Sequence, residues 1–272
     1  LPPTTLLYKL LPNESYICPK KSMPDTDPWF KEWFNSPYYH QLYFERDDDE
    51  AAAFINHLVD YLKPADGAFM LDVACGRGRH SIQLASQDFD VTGIDLSLDS
   101  IIVAKESEND FLHFFVHDMR LPFWINYFDF AFNFFTSFGY FNTRREHSNA
   151  LRTVAQSLKQ EGIFVIDYLN VKYAESHLQA ETVVKKGDVD YHIIKWSDQD
   201  HFYKKIVVED KSIDAPITHQ EKVAKFSLID FTSMLSDHQM HVQQVFGDYD
   251  LGNYHEENSP RMIIVAKKMQ VQ

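Results

Sequence analysis

The sequence predicts an α/β protein built on a βαβ sheet, with a smaller antiparallel β layer added toward its end. Three observations carry this. From about residue 69, short apolar runs alternate with amphipathic stretches, the pattern of strands and crossover helices. The stretch 71–80, LDVACGRGRH, sets two glycines between an apolar run and a helix start, where the backbone can come close to a ligand. Between roughly 180 and 226 the period becomes two, punctuated by GD and DQD turns, as expected of antiparallel strands.

Each element follows in order. DPWFKEWF and DDDEAAAFINHLVDYL read as helices, the second with Ile55, Leu58, Val59 and Leu62 on one face. AFMLDV is the first strand and RHSIQLASQ its helix. DVTGID is the second strand; SLDSIIVAKE then carries Leu98, Ile101, Ile102 and Lys105 at helical spacing behind the cap Ser97. LHFFV and FDFAFNFF are buried strands, and Leu151, Val154, Ala155 and Leu158 mark one helix face before the fifth strand, GIFVIDYL. ETVVKK, YHIIKWS, HFYKKIVVED and HQEKVAKFS form the antiparallel layer. Ser227, with Asp230 three residues on, opens a helix bearing Phe231, Met234, Leu235 and His238. Two strands, HVQQVFGDY and RMIIVAKK, close the chain.

Composition bounds the function. With 272 residues, 44% hydrophobic, the chain can bury a core in one domain with an insertion. Its densest apolar window, 128–135, is strand-sized, and the N-terminal stretch lacks a basic start and a small-residue cleavage site, so a soluble, cytoplasmic protein without membrane contact is expected. Cys18 and Cys75 cannot build a disulfide framework, and no Cys or His spacing suits zinc, so no metal site is expected. The formal charge is −14, from 26 basic against 40 acidic residues, which repels a polyanion. The basic pairs Lys185-Lys186, Lys204-Lys205 and Lys267-Lys268 fall on separate strands, so a small-molecule substrate is expected and nucleic acid is not.

The glycine turn suits two cofactor classes. A dinucleotide site uses G-x-G-x-x-G, but after Gly76 and Gly78 the third place is Ser81. Asp72, at the end of the first strand, would face a pyrophosphate unfavourably yet could attract a cation. S-adenosylmethionine carries an ammonium and a sulfonium and no phosphate. LDVACGRGRH resembles the first motif of class I S-adenosylmethionine-dependent methyltransferases. That resemblance implies a Rossmann-like seven-stranded methyltransferase sheet with flanking helices, an N-terminal helical segment and an inserted antiparallel β layer before the last helix. It further implies that Asp95, ending GID, accepts both ribose hydroxyls, and that Asp118 and Met119 of HDMR hold the adenine. Ala74, Gly76, Gly78, Leu96 and Phe134 join Asp72 in the implied cofactor site.

NFFTSFGYF follows the fourth strand, where enzymes acting on nucleic-acid amino groups place an N/D-P-P-aromatic motif that this chain lacks. The loop resembles that of small-molecule N-methyltransferases, notably the amino-sugar and glycine N-methyltransferase-like branch. Tyr39, Tyr43 and Arg46 in YYHQLYFER are similar in spacing to the segment that closes over the cofactor in the amino-sugar branch. By that resemblance Arg46 pairs the methionine carboxylate, Tyr43 sits at the cofactor, and Tyr39 lines the methyl-transfer site; the bland reading is an aromatic helix packed on the sheet. Tyr140 is the first candidate to contact the acceptor, ahead of His117, His192 and His201. Cys75 reads as a small residue filling the turn, although a helix start can lower a thiol pKa. Trp196, Phe202 and Tyr203 would cap the substrate, form the insertion's core or make a homodimer contact.

The expected division is 1–65 as a helical cap, 66–171 as the cofactor core, 172–226 as the insertion, and 227–272 as the closing helix and strand pair. The expected function is transfer of a methyl group to N or O of a small molecule. An NAD-dependent oxidoreductase and a non-catalytic S-adenosylmethionine-binding protein remain as alternatives.

Overall fold

A computed structural model describes residues 29–43 and 48–269; Cys18 and Arg46 lie outside them. The described residues begin with α1 (Trp29–Phe34), α2 (Pro37–Tyr43) and α3 (Asp48–Leu62). The first βα units are β1 (Phe69–Val73), α4 (Arg79–Ala85), β2 (Asp90–Asp95), α5 (Leu98–Ala104) and β3 (Leu112–Val116). They are followed by β4 (Phe128–Asn133), α6 (Arg144–Ser157), β5 (Leu158–Leu169) and α7 (Val171–Ser176). The insertion comprises β6 (Glu181–Lys186), β7 (Val189–Ser197), β8 (His201–Asp210) and β9 (Ile217–Ala224). The chain closes with α8 (Leu228–Ser236), β10 (Met240–Phe246) and β11 (Arg261–Lys268).

Seven strands form one sheet in the order β10-β11-β5-β4-β1-β2-β3. The five strands β3, β2, β1, β4 and β5 are parallel, and β11 pairs antiparallel with both β5 and β10. The winding reverses between β1 and β4, the switch point beyond whose carboxyl ends open α/β sheets bind ligands. Apolar side chains cover both faces of the sheet. Leu151, Val154, Phe231 and Leu235 of α6 and α8 fill one side, and Ile55, Leu58, Leu84 and Ile101 of α3, α4 and α5 the other. Each such side chain, fully buried, contributes about 1.5–3 kcal/mol. Capping boxes open α6, through Thr143 and Glu146, and α8, through Ser227 and Asp230, the latter as expected.

The apolar face of α5 differs from the one expected. Ile101 is buried with Ser100 and Ala104, whereas Leu98 and Ile102 are each 54% exposed. The seven-residue helix lies beside β3, the outermost strand, so only its inward side meets the sheet.

The insertion is a separate antiparallel sheet, β6-β7-β8-β9. Its inner face, Val189, Tyr191, Ile193, Ile206 and Val208, packs on Trp33, with Tyr38, Tyr39, Leu42 and Tyr43 around it. The first two helices and the insertion thus share a core of their own. Tyr38 Oη donates to Asp210 at 2.9 Å and Tyr191 Oη to Gln41 Oε1 at 2.7 Å, which stitches the two together at the rim. Trp196 stays outside this core, stacked on Tyr203 at 5.2 Å. No helix among the described residues is long and apolar enough to cross a membrane.

Candidate active site

The turn after β1 is built from backbone constraints. Ala74, Gly76 and Gly78 all have positive φ, at 62°, 57° and 83°. A Cβ on Gly78 would stand 2.5 Å from Phe114 Cζ, so the residue lets the start of α4 settle onto β3. Gly76 is different: a Cβ there would meet nothing of the protein within 4 Å, because the turn opens onto a cavity. Cys75 is buried in the turn and borders the same cavity, and burial pushes its thiol well above the ordinary range, with Asp72 and Asp95 adding to the effect.

The two nearby carboxylates have distinct surroundings. Asp95 Oδ2 accepts the Gly76 N–H at 2.8 Å and Oδ1 accepts the Ser97 N–H at 2.8 Å. Burial raises its pKa, and the Ser97, Gly76 and Leu96 amides oppose the shift. Each oxygen retains acceptor capacity beyond these bonds. Asp72 is 1% exposed and accepts the Ser81 hydroxyl at 2.6 Å. Burial pushes it up to about 7, against the Ser81 hydrogen bond. It is not among the residues that line the cavity and lies beneath the turn, held by Ser81.

Asp118 lies at the opposite end. Arg120 grips it through Nη2 at 2.7 Å and reaches Glu146 through Nη1 at 2.6 Å. Burial alone would raise the Asp118 pKa, but the Arg120 hydrogen bonds outweigh it and the carboxyl is lowered. This clamp joins the loop after β3 to the first turn of α6.

The loop after β4 forms the facing wall. Phe135 and Thr136 both adopt left-handed φ, 62° and 59°, a strained choice for side-chain-bearing residues. Asp167 of β5 holds them: its Oδ2 accepts the Phe135 N–H at 2.8 Å and its carbonyl accepts the Thr136 N–H at 3.0 Å. Arg261 pairs with Asp167 at 2.7 Å and donates to Thr136 Oγ1 at 3.0 Å, and Tyr249 Oη donates to Asp167 at 3.1 Å. Further along, Gly139 O accepts the Ala224 N–H of β9 at 2.9 Å. Tyr140 follows, edge-on to Phe34 at 5.3 Å.

These pieces enclose a cavity of about 470 Å³. Of the residues predicted from sequence, Tyr39, Tyr43, Ala74, Gly76, Asp95, Leu96, Asp118, Met119, Phe134 and Tyr140 line it. Gly78 and Asp72 stand behind the wall, and Arg46 lies outside the described residues. His117 reaches the cavity; His192 and His201 do not. Sequence reasoning passed over Arg77, Arg79 and His40, which also line it. Both arginines stood inside the quoted glycine turn, and their alternation with Gly76 and Gly78 was the available signal.

A mostly parallel sheet with this switch-point cavity, a glycine turn after its first strand and carboxylates at successive strand ends defines a class I methyltransferase-type binding fold. The family description "Methyltransferase domain" matches residues 64–239, and the chain belongs to that family. YqeM of Bacillus subtilis (strain 168), itself named only provisionally as a methyltransferase, is 32% identical over 126 residues, 45% of this chain and 51% of that protein. The dTDP-3-amino-3,4,6-trideoxy-alpha-D-glucopyranose N,N-dimethyltransferase of Streptomyces venezuelae is 30% identical over 155 residues, 55% of this chain and 64% of its own length. The chain thus spans between half and two thirds of the length of the curated relatives it matches. Among solved structures, S-adenosylmethionine-bound CalS10, an amino pentose methyltransferase from Micromonospora echinaspora, superposes with a TM-score of 0.63 at 19% identity, over 86% of this chain and 98% of that one. That likeness speaks for the fold. The cofactor this family and fold imply is S-adenosylmethionine.

Proposed function

We propose that the chain is an S-adenosylmethionine-dependent N-methyltransferase whose acceptor is a small amine of the amino-sugar type. One observation carries the reading: a single cavity is lined by the Gly76 turn and Asp95 together with Tyr39 and Tyr140. The residues fit the cofactor. Asp95, fixed by two main-chain amides, keeps acceptor sites for a pair of hydroxyls, and Leu96, Met119 and Phe134 supply apolar surface for a base. Asp118 would accept the exocyclic amine, and Asp72 would favour a cationic end from beneath the turn. Gly78 shapes the start of α4, Ala74 and Gly76 keep the wall low, and Tyr43 lines the cavity from α2.

When bound, the cofactor supplies a methyl group already activated by a sulfonium leaving group. The chain's own work is alignment and exclusion of water. Tyr39 and Tyr140 would orient the acceptor nitrogen, and the Asp167–Arg261 pair holds the Tyr140 loop in register. The amino-sugar class is supported by the printed activity of the Streptomyces venezuelae relative. Calorimetry with S-adenosylmethionine, S-adenosylhomocysteine and NAD tests the cofactor, and labelled-methyl transfer to dTDP-3-amino-3,4,6-trideoxy-α-D-glucopyranose tests the acceptor. Binding of the first two and labelling of the amino sugar are expected. Binding of NAD instead would overturn the reading, and donor binding without labelling would overturn the acceptor class.

A further inference from the structure

A second cavity, of about 300 Å³, lies between α7, the end of β5 and the insertion, and Lys204 and Glu221 line it. The two are cross-strand partners on β8 and β9, with Nζ and Oε2 3.7 Å apart and side chains 18% and 11% exposed. Glu221 Oε1 accepts the Trp33 indole N–H at 2.8 Å and the Tyr43 hydroxyl at 3.0 Å. Lys204 Nζ donates to Tyr43 Oη and sits 4.5 Å from the centre of its ring. Tyr43 in turn lines the donor cavity. One phenol therefore joins the two cavities through one ion pair.

The fold does not require that pair. Burying two charges costs several kcal/mol per ion before their attraction offsets it, and apolar side chains of similar volume commonly do as well or better. Ile206 and Val208, on the same strand as Lys204, show that the neighbouring positions are filled that way. A need at the site itself is the better account. An acceptor that arrives as an ammonium must shed a proton before its nitrogen has a lone pair to offer, and in a cavity lined by aromatic side chains that proton needs a titratable exit.

Resting on the reading above, we propose that Tyr43, Glu221 and Lys204 carry the acceptor's proton from the methyl-transfer cavity to the second cavity. The acceptor binds as an ammonium; one of its protons passes to Tyr43 Oη as the Tyr43 proton moves to Glu221 Oε1, and Glu221 releases that proton to water in the second cavity. The freed nitrogen lone pair then forms the N–C bond while the electron pair of the S–C bond returns to sulfur. Lys204 stands beside both groups, 3.7 Å from Glu221 Oε2 and donating to Tyr43 Oη. Burial lowers the Lys204 pKa while Glu221 opposes the change. The other groups facing the pair are Lys195, opposite Lys204 on β7, and His219, two residues from Glu221 and 4.3 Å from the Trp33 ring. Tyr39 packs against the Tyr43 ring at 4.8 Å, and His177 of the α7 side borders the second cavity.

The test compares wild type, Glu221→Gln and Tyr43→Phe in labelled-methyl transfer to dTDP-3-amino-3,4,6-trideoxy-α-D-glucopyranose across pH, with calorimetry of S-adenosylmethionine alongside. Glu221→Gln should keep donor affinity within about twofold and KM little changed, yet lose about tenfold or more in kcat at neutral pH, with partial recovery at alkaline pH where the acceptor enters deprotonated. Tyr43→Phe, which removes one oxygen, should reproduce the altered pH profile even where Glu221→Gln folds poorly. Independently of turnover, the Trp33 indole N–H resonance should titrate in wild type and lose that step in Glu221→Gln. An unmoved pH profile in a variant that binds donor, or a flat Trp33 titration in wild type, overturns the relay. Donor binding without transfer to the amino sugar overturns it as written, whereas wild type that fails to bind donor sinks the underlying methyltransferase reading.

Discussion

Asp95 and Asp72 stand at neighbouring strand ends, yet their hydrogen-bond partners give them different work. Asp95 is tied by two main-chain amides and still faces the cavity. Replacing it with Ala should weaken S-adenosylmethionine binding by about 1–3 kcal/mol, read by calorimetry, through lost hydrogen bonds to a charged acceptor. Unchanged affinity would put the donor elsewhere. Asp72 is instead sealed under the turn with Ser81 and is pushed up to about 7 by burial. Between pH of about 4 and about 7 the folded chain keeps a proton that the unfolded chain has released, so this group makes ligand-free stability fall as pH rises through that window. The effect is no more than about 4 kcal/mol. Thermal melts of Asp72→Asn should be flatter over the same range; an identical slope would assign the dependence to other groups. Asp95 was legible because the GID strand end and its distance from the glycines are properties of the chain. The role of Ser81 was not: in sequence it is the place where a third glycine is missing, and only the turn of α4 brings its hydroxyl to Asp72.

At the scale of elements, the strands and most helix faces were legible because burial on both sides of a sheet forces continuous apolar runs and crossover helices show a periodic stripe. The α5 face was misjudged because periodicity reports spacing and not what lies beyond the sheet's edge. The loop after β4 was legible only in its residue types. Nothing in Phe135 or Thr136 announces a left-handed backbone; it is imposed by Asp167, 32 residues beyond Phe135, and Arg261, 125 residues beyond Thr136. Asp167 is fully buried, and Arg261 supplies the opposing charge. Arg261→Met should therefore cost about 3–5 kcal/mol, since it leaves a carboxylate buried without its partner. Chemical denaturation measures this directly. A loss below about 1 kcal/mol would mean that the Tyr249 hydroxyl and the Phe135 amide suffice to hold the loop.

Across the whole molecule, the cavity is bounded by two bodies with separate cores. The sheet contributes the glycine turn and the strand-end carboxylates; α1 and α2 contribute Phe34, Tyr39 and Tyr43 and are bound to the insertion around Trp33. Ser97, two residues past Asp95, ties the two bodies where its hydroxyl donates to Asn35 Oδ1 at 2.8 Å. Because Trp33 is 1% exposed and donates to Glu221, its truncation removes both packing and a hydrogen bond from the second body alone. Trp33→Ala should cost that body about 3–5 kcal/mol of local stability. In hydrogen exchange, amides of 33–43 and of β7 and β8 should then lose protection together while β1, β4 and β5 keep theirs. Donor affinity should fall as well, because one wall of the cavity becomes partly populated and the bound state must restore it. Uniform loss of protection across the seven-stranded sheet would show instead that the two cores unfold as one, and the cavity would then be closed by the fold itself and not by a body able to move on its own.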